Sequence, residues 1–472
     1  MMGATMMRRR TGRVGLAPML LAAFSMLLAG CSLEVLNPGA ILDEDLNTPE
    51  LMPIVVNGVS AEFNNVPDAL AYNVARLTDD MSGTGSYFET GRFRRGLFDD
   101  EDSEGTWEQM HEAAWAAGVA WERLLEVLGE DAARNSVDSA KLFALMGHAH
   151  RMLGENFCDL AYDKGSLQPR TAAFDSALVA FDQAITIGTS AGSSADDWVT
   201  SAHAGRAQAY VGLGDWGSAV AEASQVPIDF VHNAIYADGS DTNVVWSESH
   251  GRAELGVWAS PAQYYGDPIG LNDPRTPYRI CGNWNDPNDP SAGVTTTGTC
   301  SDSGSGAHQG ADGATAHYRQ QKHTGRGSDI AVASGTEMML IRAEAALLDG
   351  DLTTFIDRIN DVRDFYGLTD LAEPPTAGAL EFPNALDAQP RAAFPTGGDP
   401  GLDDGWSILD RERYMTLWVE GRRLWDLWRW DHPFLAGGTL IGAGENPRAS
   451  CMPIPRIECT LNENLAGSSA CS

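Results

Sequence analysis

Lysine is nearly missing from this chain: only Lys141, Lys164 and Lys322 occur, and 32 basic residues face 65 acidic ones, for a formal net charge of −33. A surface this acidic repels phosphate backbones and anionic lipid, which excludes nucleic acid as a partner. Short catalytic signatures are scarce as well. No Gly-x-Ser-x-Gly elbow is expected, and no phosphate-cradling Gly-Lys-Ser/Thr loop or Cys-x-x-Cys pair occurs. His111-Glu112 opens like a zinc-protease helix, but Trp115 stands where the second histidine must be. Beyond the first thirty residues, no run reaches the roughly 20 apolar residues of a membrane helix.

What the chain does have begins with its leader. Arg8, Arg9, Arg10 and Arg13 precede the apolar stretch Leu16 to Leu28, and Leu28-Ala29-Gly30-Cys31 reads as a lipobox. Residues 1–30 are therefore expected to be a lipoprotein signal peptide, with Cys31 lipidated and residues 31–472 forming one body held on a membrane without spanning it. Loss of the leader, with four arginines and no acid, would take the charge from −33 to −37. An ordinary secretory signal is the competing reading. Ser32, rather than Asp, after the cysteine points to the outer membrane.

Six further cysteines then remain, in an oxidising compartment where disulfides persist. Fifteen pairings are open. Proximity favours Cys281 with Cys300 and Cys451 with Cys459, which leaves Cys158 for Cys471.

Apolar periodicity predicts helices at Thr106–Leu128, Asp138–Asn156, Thr171–Ile187, Asp196–Leu213, Trp216–Ser224, Glu337–Leu348, Leu352–Phe365 and Ile408–Trp430. The fold class is mainly α. Ala204 and Ala207 lead through Leu213-Gly214-Asp215-Trp216 to Ala219, Ala223 and Pro227, the pattern of a tetratricopeptide repeat. Glu337 to Ala345, Gly350-Asp351 and Ile356 repeat the same grammar. Such pairs cannot cover their apolar faces alone, so a stacked, right-handed scaffold is expected. That scaffold would occupy about 40–226, 335–368 and 406–432, with loop-rich insertions at about 227–334 and 369–405.

Several segments, in order, carry a resemblance. They are Asn37-Pro38-Gly39, Ala149-His150-Arg151-Met152-Leu153-Gly154-Glu155-Asn156, Arg342-Ala343-Glu344, Trp418-Val419-Glu420-Gly421-Arg422-Arg423-Leu424-Trp425-Asp426-Leu427-Trp428-Arg429 and Pro453-Ile454-Pro455-Arg456. Together they resemble the SusD/RagB-like nutrient-uptake lipoproteins of the outer membrane. The resemblance implies four helix pairs facing a SusC-like TonB-dependent transporter, with loops that hold an oligosaccharide or peptide. No catalysis, metal or cofactor is implied. The family's aromatic starch-binding arc does not align here, so the substrate does not carry over.

Residue chemistry agrees with binding. Glu420, Arg422, Arg423, Asp426 and Arg429 lie at pairing distances on one predicted helix and read as a structural ion network. Asp100-x-Asp102-x-Glu104-Gly105 opens like a calcium loop, but His111 stands at its twelfth position, so a helix start near Thr106 is the better reading. His148 and His150 point to different sides of their helix, as core or solvated residues do. The 227–334 insertion is rich in aromatics among polar residues, which suits stacking on sugar rings; the ligand candidates are Trp246, Trp258, Tyr264, Tyr265 and Trp284, with Tyr87 and Phe88 as a second edge. Tyr236, Tyr278 and Tyr318 share that composition and suit small cores equally well. The rival function is an envelope lipoprotein that scaffolds proteins through its repeats and binds no small molecule.

Overall fold

The computed structural model describes residues 43–239, 241–267, 271–281, 300, 309–380, 404–437 and 447–471. Packing separates two units: residues 1–46, of which the short helix Asp43–Leu46 is described, and Asn47–Ser472. No described helix is long and apolar enough to cross a membrane. Cys31 lies outside the described residues.

The larger unit is built on four helix pairs: α1 (Met52–Leu77) with α2 (Glu104–Leu128), α3 (Val137–Asn156) with α4 (Thr171–Ala191), α5 (Asp196–Leu213) with α6 (Trp216–Ala223), and α7 (Gly335–Leu348) with α8 (Leu352–Phe365). Each pair packs on the next, α2 on α3, α4 on α5 and α6 on α7. The turns follow from the sequence. Gly214 (φ 73) and Gly350 (φ 74) take the left-handed conformation that ends the first helix, and Asp215 and Asp351 then accept the Ser218 and Thr354 amides to cap the second.

Close approach of three helices rests on four glycines at heptad spacing. The Phe181 ring of α4 lies where a Cβ on Gly147 would sit 2.5 Å away and one on Gly205 2.1 Å away. Phe174, two turns earlier, is held in the same way by Gly154 at 2.8 Å and Gly212 at 2.4 Å. Both rings are fully buried, so each aromatic is a knob seated between a glycine of α3 and a glycine of α5.

The segment 227–334 is not wholly irregular. Among its described residues, Val231–Ala234 pairs antiparallel with Ile330–Ser334, Leu255–Gly256 with Ser82–Gly83, and Tyr278–Ile280 with Tyr318–Gln320.

Three expectations need correction. Ile408–Trp430 is two helices, α9 (Gly405–Thr416) and α10 (Arg423–Arg429), because Val419 (φ 52) and Gly421 (φ 72) turn the chain left-handed between them. Gly421 also lets that turn touch α1, since a Cβ there would lie 3.0 Å from the Leu70 Cβ. The long α1 was not foreseen as a helix. The disulfides are Cys158–Cys451, Cys281–Cys300 and Cys459–Cys471, so of the three expected pairs only Cys281–Cys300 holds. Proximity in sequence loses to backbone pairing for the first. Cys158 donates to the Met452 carbonyl at 2.9 Å and Met452 donates back to Asn156 at 2.7 Å, which sets Cys451 against Cys158.

The tight turn drives two arginines into the interior. Arg422 bridges Glu155 of α3 and Glu337 of α7, both at 2.6 Å, while Gln208 of α5 donates to the other oxygen of Glu337 at 2.6 Å. Arg423 grips Asp79, just past α1, through two bonds of 2.7 and 2.8 Å, and also meets Asp410. Arg413 makes a two-bond pair with Asp426 at 2.9 Å, and Arg429 joins Asp426 to Glu344. A structural network is therefore present, but only Asp426–Arg429 is one of the local pairs expected; Glu420 turns instead to Lys322 at 2.6 Å.

Two outcomes follow. Gly205→Ala should destabilise the fold by about 1–3 kcal/mol through overpacking against Phe181, whereas Gly217→Ala, with only an Asp215 oxygen 3.7 Å away, should be nearly neutral. Arg422→Met should cost about 3–5 kcal/mol, because buried Glu337 would keep only the neutral Gln208 and Glu155 only Arg151. Urea unfolding measures both, and an Arg422→Met loss under about 1 kcal/mol would contradict the network's role.

Candidate functional site

The site is assembled where α1 ends and the two-stranded ladder begins. Ser82 and Gly83 pair with Gly256 and Leu255, which lays the following loop against residues 243–256. Glu254 holds that loop: its carboxylate accepts the Ser86 amide at 3.0 Å and meets the Ser86 hydroxyl at 3.2 Å. Gly85 makes this possible, since a Cβ there would lie 1.6 Å from a Glu254 oxygen. Braced in this way, the loop presents Tyr87, half-buried, and Phe88, 81% exposed. Arg252 lies 5.6 Å above the Tyr87 ring and Arg92 lies 6.0 Å above that of Phe88.

The last turn of α1 forms the floor. Arg76 sits between the rings of Tyr72 (3.8 Å) and Phe93 (4.5 Å) and donates to Asn73 at 2.6 Å. Glu248 and Glu254 are close enough to act on both Tyr72 and Arg76. Burial, reinforced by the charge of Glu254 and opposed by Arg76, pushes the Glu248 carboxyl up to about 7. One oxygen of Glu248 is buried without a hydrogen-bond partner. Trp246, two residues earlier, is half-buried, stacks on His250 at 5.6 Å and has Arg326 5.4 Å above its ring.

Tyr87 and Phe88 are thus tied through Glu254 and Arg252 to the segment that Trp246 and Glu248 open. The other expected ligand residues do not join them. Trp258 is 3% exposed and packs edge-on to Tyr318, so a ligand cannot reach its face. Tyr264 is 6% exposed, and Tyr265 leans with it toward Tyr414 of α9. Tyr236, Tyr278 and Tyr318 are buried as well. These rings cover the small ladders of the insertion, as apolar area must in a loop-rich region. Trp284 lies outside the described residues. Tyr72, Arg76, Glu248 and Glu254 were missed. The available signal was Gly85 beside a polar loop, which marks close approach.

Other candidate chemistry resolves into structure. Gly188-Thr189-Ser190-Ala191-Gly192 spells Gly-x-Ser-x-Gly, contrary to expectation, but it ends α4, where the Ser190 hydroxyl donates to the Thr186 carbonyl at 3.1 Å rather than facing a base from a strand-to-helix turn. Asp100 and Glu101 pair with Arg456, and Asp102 with Arg92. His148 is fully buried and bonded to Ser201 at 3.0 Å; His150 meets the Tyr162 hydroxyl at 3.2 Å. Among the described residues, no three His, Cys, Asp or Glu side chains group as a metal site. A cavity of about 800 Å³ lies between α5, α7 and α10, walled by Trp216, Trp406, Trp425, Trp428 and Trp430. Its tryptophans serve the frame: Trp425 stacks on Trp428 at 5.4 Å, and Arg170 covers Trp428 at 3.7 Å.

A family model, that of the SusD family, matches residues 184–450, more than half of the chain. The chain belongs to the SusD family. Solved structures agree on the fold. A SusD-like protein of Bacteroides fragilis is 14% identical over 90% of this chain and 97% of its own, with a TM-score of 0.62. A SusD-like carbohydrate binding protein of the same organism is 12% identical over 89% and 99%, with a TM-score of 0.61. A chitin-binding SusD homolog of Flavobacterium johnsoniae is 14% identical over 86% and 93%, with a TM-score of 0.60. No curated protein sequence matches the chain.

The raised carboxyl of Glu248 gives a pH signature. Because the folded state holds this proton more tightly than the unfolded chain, its contribution to stability is present below the ordinary carboxylate range and is lost as pH rises through about 7. Glu248→Gln should therefore match wild type near about pH 4 and be the more stable protein near about pH 8. Thermal melts across that range test it, and a difference that does not change with pH would assign the buried charge elsewhere.

Proposed function

We propose that this SusD-family chain is a lipid-anchored outer-membrane protein that captures a nutrient at the Tyr87–Phe88–Trp246 corner and delivers it to a TonB-dependent transporter. The observation that carries the reading is the corner itself. A braced loop presents Phe88 to solvent with Tyr87 half-buried beside it, the guanidinium groups of Arg92 and Arg252 lie over these rings, and the Glu254 carboxylate holds the loop. Rings present apolar area for the faces of sugars, and charged groups at the rim orient hydroxyls. The chitin-binding homolog and the carbohydrate binding protein of the same fold make an oligosaccharide the leading ligand, ahead of a peptide.

The anchor rests on the lipobox at Cys31. The partner rests on the helical frame, whose repeats expose apolar side chains such as Val179 on α4 and Val119 on α2; helical repeats use such surfaces to hold other proteins. In the domain reading, the pairs form the transporter side and the insertions form the ligand side. No covalent step is needed.

The test is a thermal-shift screen of the full chain in detergent against soluble oligosaccharides and peptides, with product analysis of every hit. A saturable shift without cleavage is expected, since a ligand of the folded state stabilises by mass action. Phe88→Ala and Tyr87→Ala should each weaken the hit roughly ten-fold, about 1.4 kcal/mol. Cleavage of the ligand would make the protein an enzyme, and silence across both panels would favour a protein scaffold.

A further inference from the structure

A second cavity, of about 470 Å³, lies along the outer stripe of α1, away from the aromatic corner. Asn57, Asn64, Asn65 and Asp68 of α1 line it at helical spacing, faced by Gln109 of α2 and Thr242 of the loop that follows the Val231–Ala234 strand. The cavity is fastened rather than incidental. The Asn64 amide donates to the Ile235 carbonyl at 3.0 Å, the Tyr236 hydroxyl donates to the Asn64 carbonyl at 2.8 Å, and the Val244 amide donates to Asp68 Oδ1 at 2.7 Å.

Its chemistry is selective. The Asp68 side chain is buried to nine-tenths, with one oxygen spent on Val244, and burial pushes its carboxyl up to about 7. Gln109 Oε1 is buried without a hydrogen-bond partner. Amide, carboxyl and hydroxyl groups therefore converge, offering donors and acceptors side by side as vicinal hydroxyls require. No Lys or Arg lines the cavity; Lys141 only reaches Asn57 at 3.1 Å. Phosphate, sulfate and uronate ligands are disfavoured on that account. Ala61, Ala69, Ile235 and Val244 add apolar lining beside these polar groups, a mixture that suits the faces and hydroxyls of sugar rings.

Both walls lead to the corner. On α1, Asn57, Ala61, Asn65, Asp68, Tyr72 and Arg76 follow one stripe, three or four residues apart, over a length of about 28 Å. On the facing loop, Thr242 and Val244 of the groove are followed by Trp246 and Glu248 of the corner. We propose that this groove is a second subsite of a single extended site, and that its ligand is a neutral oligosaccharide whose hydroxyls lie along α1 while one end stacks at the corner. The proposal rests on the reading of the chain as a nutrient binder.

The experiment is calorimetric titration of the full chain in detergent with size ladders of neutral glucan, xylan and chitin oligosaccharides and with a peptide panel. Ala61→Arg fills the groove from an exposed helix position with a good helix former, and Asn65→Ala removes a polar contact, so neither threatens the fold. Wild type should bind longer glycans more tightly. Ala61→Arg should weaken the longest by roughly ten-fold or more and leave the shortest unchanged, with Asn65→Ala weaker in the same direction, whereas Phe88→Ala should weaken all of them. Long glycans that bind both groove variants as they bind wild type would overturn the groove and leave the nutrient-binding reading standing. Binding of peptides alone would overturn the glycan class, and binding of nothing in either panel would overturn both.

Discussion

Arg422 and its neighbours are the constraint from which the rest of the frame follows. A stack of helix pairs is held only between neighbours, so pairs far apart in the chain need something else to fix their relation. Here Arg422 ties α3 to α7, Gln208 brings α5 to the same glutamate, and Arg423 reaches Asp79 at the end of α1. All four pairs therefore meet at one buried set of charges. A buried ion pair contributes little net stability over a well-packed apolar alternative, but losing one partner is costly. Such a set acts less as glue than as a register, admitting only the arrangement in which every carboxylate finds its guanidinium.

That register extends to the site. Asp79 and Asp80 stand between the last turn of α1 and the loop that carries Tyr87 and Phe88, and their carbonyls accept the Tyr414 hydroxyl while Trp418 Nε1 donates to the Asp80 carbonyl. The C-terminal turn thus fixes the point from which the loop departs, and the ladder of Ser82–Gly83 with Leu255–Gly256 fixes where it goes. Only beyond these does the chain give up contacts, at Ser86 to Phe88, which are braced from beneath by Glu254. Rigid positioning of a few exposed rings on a loop is what a binding surface needs if its ligand is not to bear the whole ordering cost.

How much of this was legible in the sequence depended on whether a signal was local. The α5–α6 and α7–α8 pairs were readable because Gly214-Asp215 and Gly350-Asp351 carry turn and cap in adjacent residues. Helix α1 was not, since Pro53, Gly58 and Pro67 break the helical grammar and its outer stripe is polar where a scaffold helix would show mixed charge. The break between α9 and α10 was hidden by periodicity that continues across Gly421. Cys158 found Cys451 across 293 residues because the strand-like contact of Asn156 with Met452 comes from tertiary packing, which no spacing rule reports. Aromatic composition marked the correct region but could not sort its members: Trp258 and Tyr264 differ from Trp246 only in burial.

Electrostatics then bears on what such a surface can take up. The arginines that the sequence does supply are largely committed inside, Arg422, Arg423, Arg413 and Arg275 all to buried carboxylates. The outside is left acidic, with the net charge of −33 spread over a chain that has three lysines. At physiological salt this field decays over about 8 Å, so it reaches a ligand only near contact, but there it opposes any anion. An uncharged polymer meets no such penalty and gains no steering either; its capture would run at the ordinary docking rate, roughly 10⁵–10⁷ M⁻¹s⁻¹ for specific association. Selectivity must then come from hydrogen-bond geometry and stacking, because an unmatched hydroxyl leaves a buried group such as Gln109 Oε1 without a partner. A frame that spends its cations on its own interior and lines its outer groove with amides is suited to reading shape and hydroxyl pattern rather than charge.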